Sequence, residues 1–169
     1  MNTSTPAFSL HGKKGLILGI ANEHSIAWGC AKLIREQGAE VVATCQSEKA
    51  RPFVEPLTSS SGITLINCDV ERAGELEATV EKAVEHLGPL DFVIHSIAWA
   101  PLQDLHGRVI DSSSTGFSRA MQVSCHSFAT LAKLCAPHMP KGGSMVTMTY
   151  LGAGEAVPHY GLMGPGKAA

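Results

Sequence analysis

A chain of 169 residues, 44% apolar and 17% charged, is long enough for one domain with a real core and too apolar to be disordered. A net charge of -2 with scattered lysines and arginines excludes the basic footprint of a nucleic-acid binder, and no apolar run approaches the ~20 residues that a membrane span demands. The opening MNTSTPAFSLHGKKG lacks the apolar segment of a secretory signal and reads as a short tail, 1–11, ahead of one domain over 12–169. GLILGI (15–20) predicts the first strand. SIAWGCAKLIREQG follows with helical spacing, placing Ile26, Cys30, Leu33 and Ile34 on one face, and Gly38 stands where a terminating glycine belongs. AEVVATC (39–45) predicts the second strand, and SEKARPFVEPL a weak helix interrupted by Pro52 and Pro56. ITLINC (63–68) is the third strand. ERAGELEATVEKAVEHLG is a surface helix with Leu76, Val80, Ala83, Val84 and Leu87 on its inner side, and LDFVIHS (90–96) is the fourth strand. GFSRAMQVSCHSFATLAKLCAPHM predicts a long, mostly apolar helix, GGSMVTMTY (142–150) a fifth strand, and HYGLMGPGKAA the start of another helix.

Continuous apolar strands, each followed by a helix, predict an α/β fold with a parallel sheet covered on both faces. Right-handed crossovers make that sheet doubly wound, and strand order 3-2-1-4-5-6 is the commonest dinucleotide-binding version, here lacking the last strands. The five cysteines, Cys30, Cys45, Cys68, Cys125 and Cys135, form no C-x-x-C pair and fall mostly in apolar segments. They read as small hydrophobes in a reducing cytoplasm. The eight histidines form no H-E-x-x-H or Cys/His ladder, so no metal site is expected.

In a doubly wound sheet, ligands bind beyond the carboxyl ends of the strands, where strand order reverses. The turn after the first strand is therefore the place to look. Gly19 permits a tight exit from the strand, and Gly29 would let helix and strand approach. Ser25 begins the helix, where its hydroxyl either caps the helix or bonds a phosphate. Between Gly19 and Gly29 there is no glycine cluster of the G-x-G-x-x-G kind.

The run GIANEHSIAWG resembles the signature turn of the NADH-dependent enoyl-(acyl-carrier-protein) reductases, a divergent branch of the short-chain dehydrogenase/reductase superfamily with a Rossmann-like sheet. The resemblance continues through TCQSEK, CDV, HSIAWAP and TYLGAGEAVPHYGLMGPGK, and so covers the chain from about Gly12 onward. It implies cofactor contacts at Gly19, Ser25 and Ile26. Gln46, neutral and just past the second strand, would touch the adenosine end and favour NADH, although Lys49 leaves NADPH open; the alternative is a solvated loop glutamine. Asp69 would meet the adenine amino group with the Val70 backbone beside it, or else Asp69 caps the next helix. Ser96, Ile97 and Ala98 would line the cofactor's ribose and nicotinamide, and Ala100 the substrate. His95 reads as a packed histidine and Trp99 as pocket wall or core.

Both tyrosines of the chain, Tyr150 and Tyr160, fall at the same end of the expected sheet, Tyr150 closing the fifth strand and Tyr160 opening the last helix. Lys167 follows Tyr160 at a distance of nearly two helical turns, so the two side chains can share a side. The resemblance gives Tyr150, Tyr160 and Lys167 the catalytic roles, with Lys167 also on the nicotinamide ribose. A six-residue gap between Tyr and Lys is characteristic of the enoyl reductases; ordinary superfamily members have three. The implied reaction is reduction of the trans-2 double bond of an enoyl thioester carried by acyl carrier protein. The implied setting is cytoplasmic, with no nucleic acid and no membrane as partner, and the full-length relatives are implied to be homotetramers. Gly161, Gly164 and Gly166 each cost a helix interior about 1 kcal/mol, and Pro165 about 3, so the last helix depends on tertiary packing or is displaced. Relatives implied by the resemblance continue well beyond Ala169, and this chain alone is expected to bind NADH poorly and turn over little substrate. A ketoacyl or alcohol dehydrogenase, and a non-catalytic nucleotide-binding or interaction protein, are the competing readings.

Overall fold

Short runs of Leu, Ile, Val and Cys with no charged interruption become the strands of this chain. In the computed structural model, which describes residues 8–169, they are β1 (Lys14–Leu18), β2 (Glu40–Cys45), β3 (Thr64–Asn67), β4 (Phe92–His95) and β5 (Ser144–Thr147). They form one sheet in the order β3-β2-β1-β4-β5, as the strand-helix alternation predicts. The pairs β1–β2, β1–β4 and β2–β3 are parallel, with Gly15 opposite Val41 on one side and Phe92 on the other. Residues 1–7 of the expected tail lie outside the described residues. At the end of the tail, the Leu10 N–H donates to the Gln37 carbonyl at 2.9 Å.

The chain packs as two compact units. The first holds the described residues up to Ser96 together with Leu134–Val146, and the second holds Ile97–Lys133 with Thr147–Ala169. The core of the first unit is the central strands: Leu16, Ile17, Leu18, Val42, Ala43 and Val93 are fully buried. Asp91 pins the amino end of β1, accepting from Lys13 Nζ at 2.9 Å and from the Lys14 N–H at 3.0 Å. The hydrogen bond from Lys13 is the main reason its carboxyl titrates below the usual aspartate range. A depressed folded-state pKa contributes stability above the unfolded value of ~3.9 and loses it as pH falls. The Asp91→Asn protein should therefore show a shallower drop in melting temperature between about pH 5 and pH 3 than the parent does. Equal slopes would mean that the pair contributes nothing.

Three helices flank the sheet in this unit: α1 (Ile26–Glu36), α2 (Arg51–Ser60) and α3 (Glu75–Leu87). α3 buries Leu76, Val80, Ala83 and Leu87 as the spacing predicts, and Thr79 as well, with Val84 only partly covered. α1 does not follow its expectation. Ala27, Trp28 and Ala31 face inward, whereas Ile26 and Leu33 are 62% and 58% exposed. Both faces of this helix repeat apolar residues at helical spacing, and the alanine face is the one whose small side chains allow close approach to a sheet. Gly29 has no role in that approach, because a Cβ there would meet open space. Gly38 does end the segment in the left-handed region, with φ 95. The prolines do not interrupt α2. Pro52 lies in the first turn, where an amide has no intrahelical acceptor in any case, and Pro56 deletes one interior bond. Cys45, Cys68 and Cys135 are buried, and burial pushes the Cys135 thiol up to about 11.

Beyond β4 come a short α4 (Leu102–Leu105), then α5 (Ser114–Met121) and α6 (Ser127–Cys135), joined by a π-helical turn over Gln122–His126. Ser113 caps α5, its hydroxyl accepting the Gly116 N–H at 3.0 Å. The last helix, α7, spans Met163–Ala168. Tyr160 therefore precedes this helix rather than opening it. Gly161, at φ 43, separates the two, and the glycine-rich segment becomes helical only past that break. No described helix is long and apolar enough to cross a membrane.

Candidate functional site

Parallel pairing puts the carboxyl ends of β1 to β4 on one rim of the first unit, and the hydrogen-bond ladder continues past the strands to hold it. The Ile20 N–H donates to the Thr44 carbonyl at 2.9 Å, the Cys68 N–H to Cys45 at 2.8 Å, and the Ser96 N–H to Leu18 at 3.0 Å. Gly19 makes the turn out of β1 at φ 101, its N–H 3.3 Å from Thr44 Oγ1. Gly19, Gln46, Asp69 and Ser96 are the residues that leave this rim.

Ser25 stands at the head of α1 with extended backbone, but its hydroxyl does not cap the helix. The oxygen accepts the Ala21 and Asn22 N–H groups at 2.9 and 3.0 Å and so closes the loop back on itself. Asn22 Oδ1 in turn accepts the His24 N–H at 2.9 Å. The hydroxyl thus does the shaping that a glycine cluster does elsewhere. It leaves the first turn of α1 without a side-chain cap, and the amide ends there favour an anion. Ile26 lies exposed beside it.

Gln46 is exposed and lines a cavity of about 630 Å³ with Lys49, Asn67, Arg72, Glu75 and Lys82 among others; Asp69 and Val70 do not line it. Asp69 does not cap α3, which Gly74 precedes. Its carboxylate accepts the Glu71 N–H at 3.1 Å, and its own N–H donates to Glu75 Oε2 at 2.7 Å, so the loop after β3 is tied at both ends of one residue. His95 is fully buried, as expected of a packed histidine. An uncapped helix end, a neutral amide past β2 and a half-buried carboxylate past β3 fit the pyrophosphate, ribose and adenine of a dinucleotide in that order.

In the second unit, the two phenols meet. The rings of Tyr150 and Tyr160 are 5.0 Å apart and tilted by 51°. Tyr150 is half exposed, while Tyr160 is partly buried and forms part of the wall of a cavity of about 540 Å³, along with Arg108, Val157, His159 and Pro165. Burial, aided by the neighbouring Tyr150 phenol, raises the Tyr160 pKa above the ordinary tyrosine value. Lys167 does not line that cavity. Its Nζ donates to the Met148 carbonyl at 2.6 Å, the Thr149 hydroxyl donates to the Lys167 carbonyl at 2.9 Å, and the side chain lines a separate cavity of about 70 Å³ with Cys125 and Phe128. Burial lowers its pKa.

Ile97 is half-buried, Ala98 exposed, and Ala100 buried against Ala120, Leu162 and Met163. Trp99 is not in the core: it is 37% exposed beneath the Arg119 guanidinium, 4.5 Å from the ring centroid. Ser124, in the π-helical turn, grips the Trp99 backbone, accepting its N–H at 2.9 Å and donating to its carbonyl at 3.0 Å. Ser124 and Gly152 are supporting residues that sequence reading missed. A Cβ on Gly152 would stand 2.5 Å from the Tyr160 ring, so the glycine in YLGAG is the space that ring occupies.

A family model described as enoyl-(acyl carrier protein) reductase matches residues 19–169. The chain is 44% identical over 161 residues to enoyl-(acyl-carrier-protein) reductase (NADH) 2 of Rhizobium meliloti (strain 1021), covering 95% of this chain and 60% of that protein. Its fold is similar to the crystal structure of the enoyl-(acyl-carrier-protein) reductase of Anaplasma phagocytophilum in complex with NAD, with TM-score 0.90 and 43% identity over 94% of this chain and 61% of that one. The Bacillus cereus enoyl-acyl carrier protein reductase, crystallised with NADP+ and indole naphthyridinone, matches with TM-score 0.90 at 34% identity over 94% of this chain and 63% of that one. The chain thus spans about three-fifths of the length of relatives such as the Rhizobium meliloti protein, 60% in that case.

Proposed function

The chain belongs to the enoyl-(acyl carrier protein) reductase family, and from that premise we propose that it serves reduction of the trans-2 double bond of an enoyl thioester in fatty-acid elongation. The observation that carries the reading is Tyr160, a partly buried phenol that keeps its proton above the ordinary tyrosine range on the wall of a cavity. NADH, when bound, supplies a hydride to the β-carbon. Electron density then moves to the thioester oxygen, and the Tyr160 O–H donates a hydrogen bond to that enolate. The enolate collapses and its α-carbon takes a proton from solvent water, giving the saturated thioester and hydroxide. Tyr150, against the Tyr160 ring, lines the acyl side.

Ser25, Ile26, Gln46, Asp69 and Val70 hold the adenosine and pyrophosphate end in this reading, and Ser96, Ile97 and Ala98 the nicotinamide end. Ala100, buried in the cluster with Leu162 and Met163, backs the substrate side in this reading. An ammonium has three donors. One of those on Lys167 is engaged by the Met148 carbonyl, which leaves the others for the ribose hydroxyls in this reading. Gln46 brings no cation to a 2′-phosphate, which favours NADH over NADPH. The acyl carrier protein that delivers the enoyl chain, the homotetramer and the cytoplasmic setting belong to the same proposal.

The test is a single-turnover assay with protein in excess over NADH and a crotonyl thioester, products read by mass spectrometry. Because protein is in excess, weak NADH binding and slight steady turnover still leave saturated thioester to be detected, with no hydroxyacyl product from a ketoacyl thioester. NADH binding with neither product would make the chain a nucleotide-binding protein. Absence of binding and of product alike would remove the reading.

A further inference from the structure

We propose that the stretch Asp104–His106 is the template for the turn that carries Tyr160, with His106 and His159 as positioning residues for its phenol. Only the kinetic arm of this proposal rests on the reductase reading. Tyr160 sits between two residues of left-handed backbone: His159 at φ 60, the one such non-glycine among the described residues, and Gly161 at φ 43. A side chain disfavours that region because its Cβ crowds the carbonyl, and such a conformation persists only where the surroundings over-determine it.

The surroundings come from one stretch. His106 Nδ1 lies 3.3 Å from the His159 carbonyl oxygen, and a carbonyl only accepts, so the ring donates from Nδ1. A Cβ at Gly161 would stand 2.1 Å from the Leu105 carbonyl oxygen and 3.0 Å from that of Asp104, so the template backbone lies directly against the turn. Leu105 and Tyr160 also pack on the same apolar cluster. The template is itself anchored. The Asp104 carboxylate, 6% exposed, accepts the Ser113 N–H at 2.9 Å and the Ser113 hydroxyl at 3.0 Å, which ties it to the cap of α5. Relaxing His159 into ordinary backbone rotates the following peptide and carries the Tyr160 ring off its seat over Gly152 and away from Tyr150.

The experiment uses the full chain with Tyr150→Phe, in which Tyr160 is the one remaining tyrosine. Tyrosinate absorbance then reads its titration directly. His159→Asn, which tolerates the left-handed region, should keep the parent's titration and single-turnover rate. His159→Val and His106→Leu should move the titration toward the free tyrosine value of ~10. They should also slow reduction about tenfold with NADH affinity unchanged. A merely structural role would lower melting temperatures and leave the titration of the folded proteins where it was, and that result overturns the proposal. If His159→Val does not fold, the milder His159→Ala carries the same comparison. If the parent reduces no enoyl thioester, the reductase reading fails, and the titrations still decide the positioning role.

Discussion

Replacing Tyr160 by phenylalanine should slow enoyl-thioester reduction about 100- to 1,000-fold, equivalent to about 2.7–4 kcal/mol of lost transition-state stabilisation. The substitution removes one oxygen. The ring keeps its seat over Gly152 and its contact with the Tyr150 ring, so packing is nearly unchanged. What disappears is a donor aimed at charge that exists only as the hydride arrives, so the loss belongs in the rate and not in NADH affinity. The raised pKa fits the same role, since a phenol that holds its proton donates throughout the neutral range. Tyr150→Phe should cost less, because its hydroxyl belongs to a half-exposed side chain. Single-turnover rates and NADH titrations on the two variants check this. A Tyr160→Phe protein as fast as the parent would remove Tyr160 from the chemistry.

The largest loss of stability should follow Ile17→Ala, at about 2–5 kcal/mol. Ile17 is fully buried on the central strand, between Ala43 on β2 and Ile94 on β4, where neighbouring strands have little freedom to collapse into the void. Folded domains hold only about 5–15 kcal/mol in total, so this one change removes a large share. Leu33→Ala should stay within about 0.5 kcal/mol, because the side chain is 58% exposed. Denaturant midpoints of the two variants decide between the observed face of α1 and the one that apolar periodicity suggests. A large loss at Leu33 would put it back in the core.

That reversal shows where the sequence could be read and where it could not. Strand order and the strands themselves were legible because short apolar runs alternating with helical spacing leave few arrangements. The inner face of α1 was not, since the expected face, Ile26–Cys30–Leu33–Ile34, and the observed one, Ala27–Trp28–Ala31, both repeat at helical spacing. Only contact with the sheet selects the smaller set. Pro52 and Pro56 looked like breaks because the pattern alone does not say which turn of a helix a proline occupies. In the candidate site, Tyr150, Tyr160 and Lys167 carry a spacing that can be recognised. Their supports do not: Gly152 is needed for a ring eight residues away, and Asp104 for a turn more than fifty residues on. Only the folded chain brings such pairs together. Tyr160 outside α7 has the same origin, since the left-handed Gly161 that ends the turn is invisible as a conformation in the letters HYGLM.

Gly15 on β1 pairs with both Val41 and Phe92. Its second neighbour is synthesised almost eighty residues later. On a ribosome, a nascent chain therefore carries β1 and β2 with one apolar edge open for the whole interval, and closing so long a loop in parallel register is slow. The arrival of β4 is what covers that edge of β1.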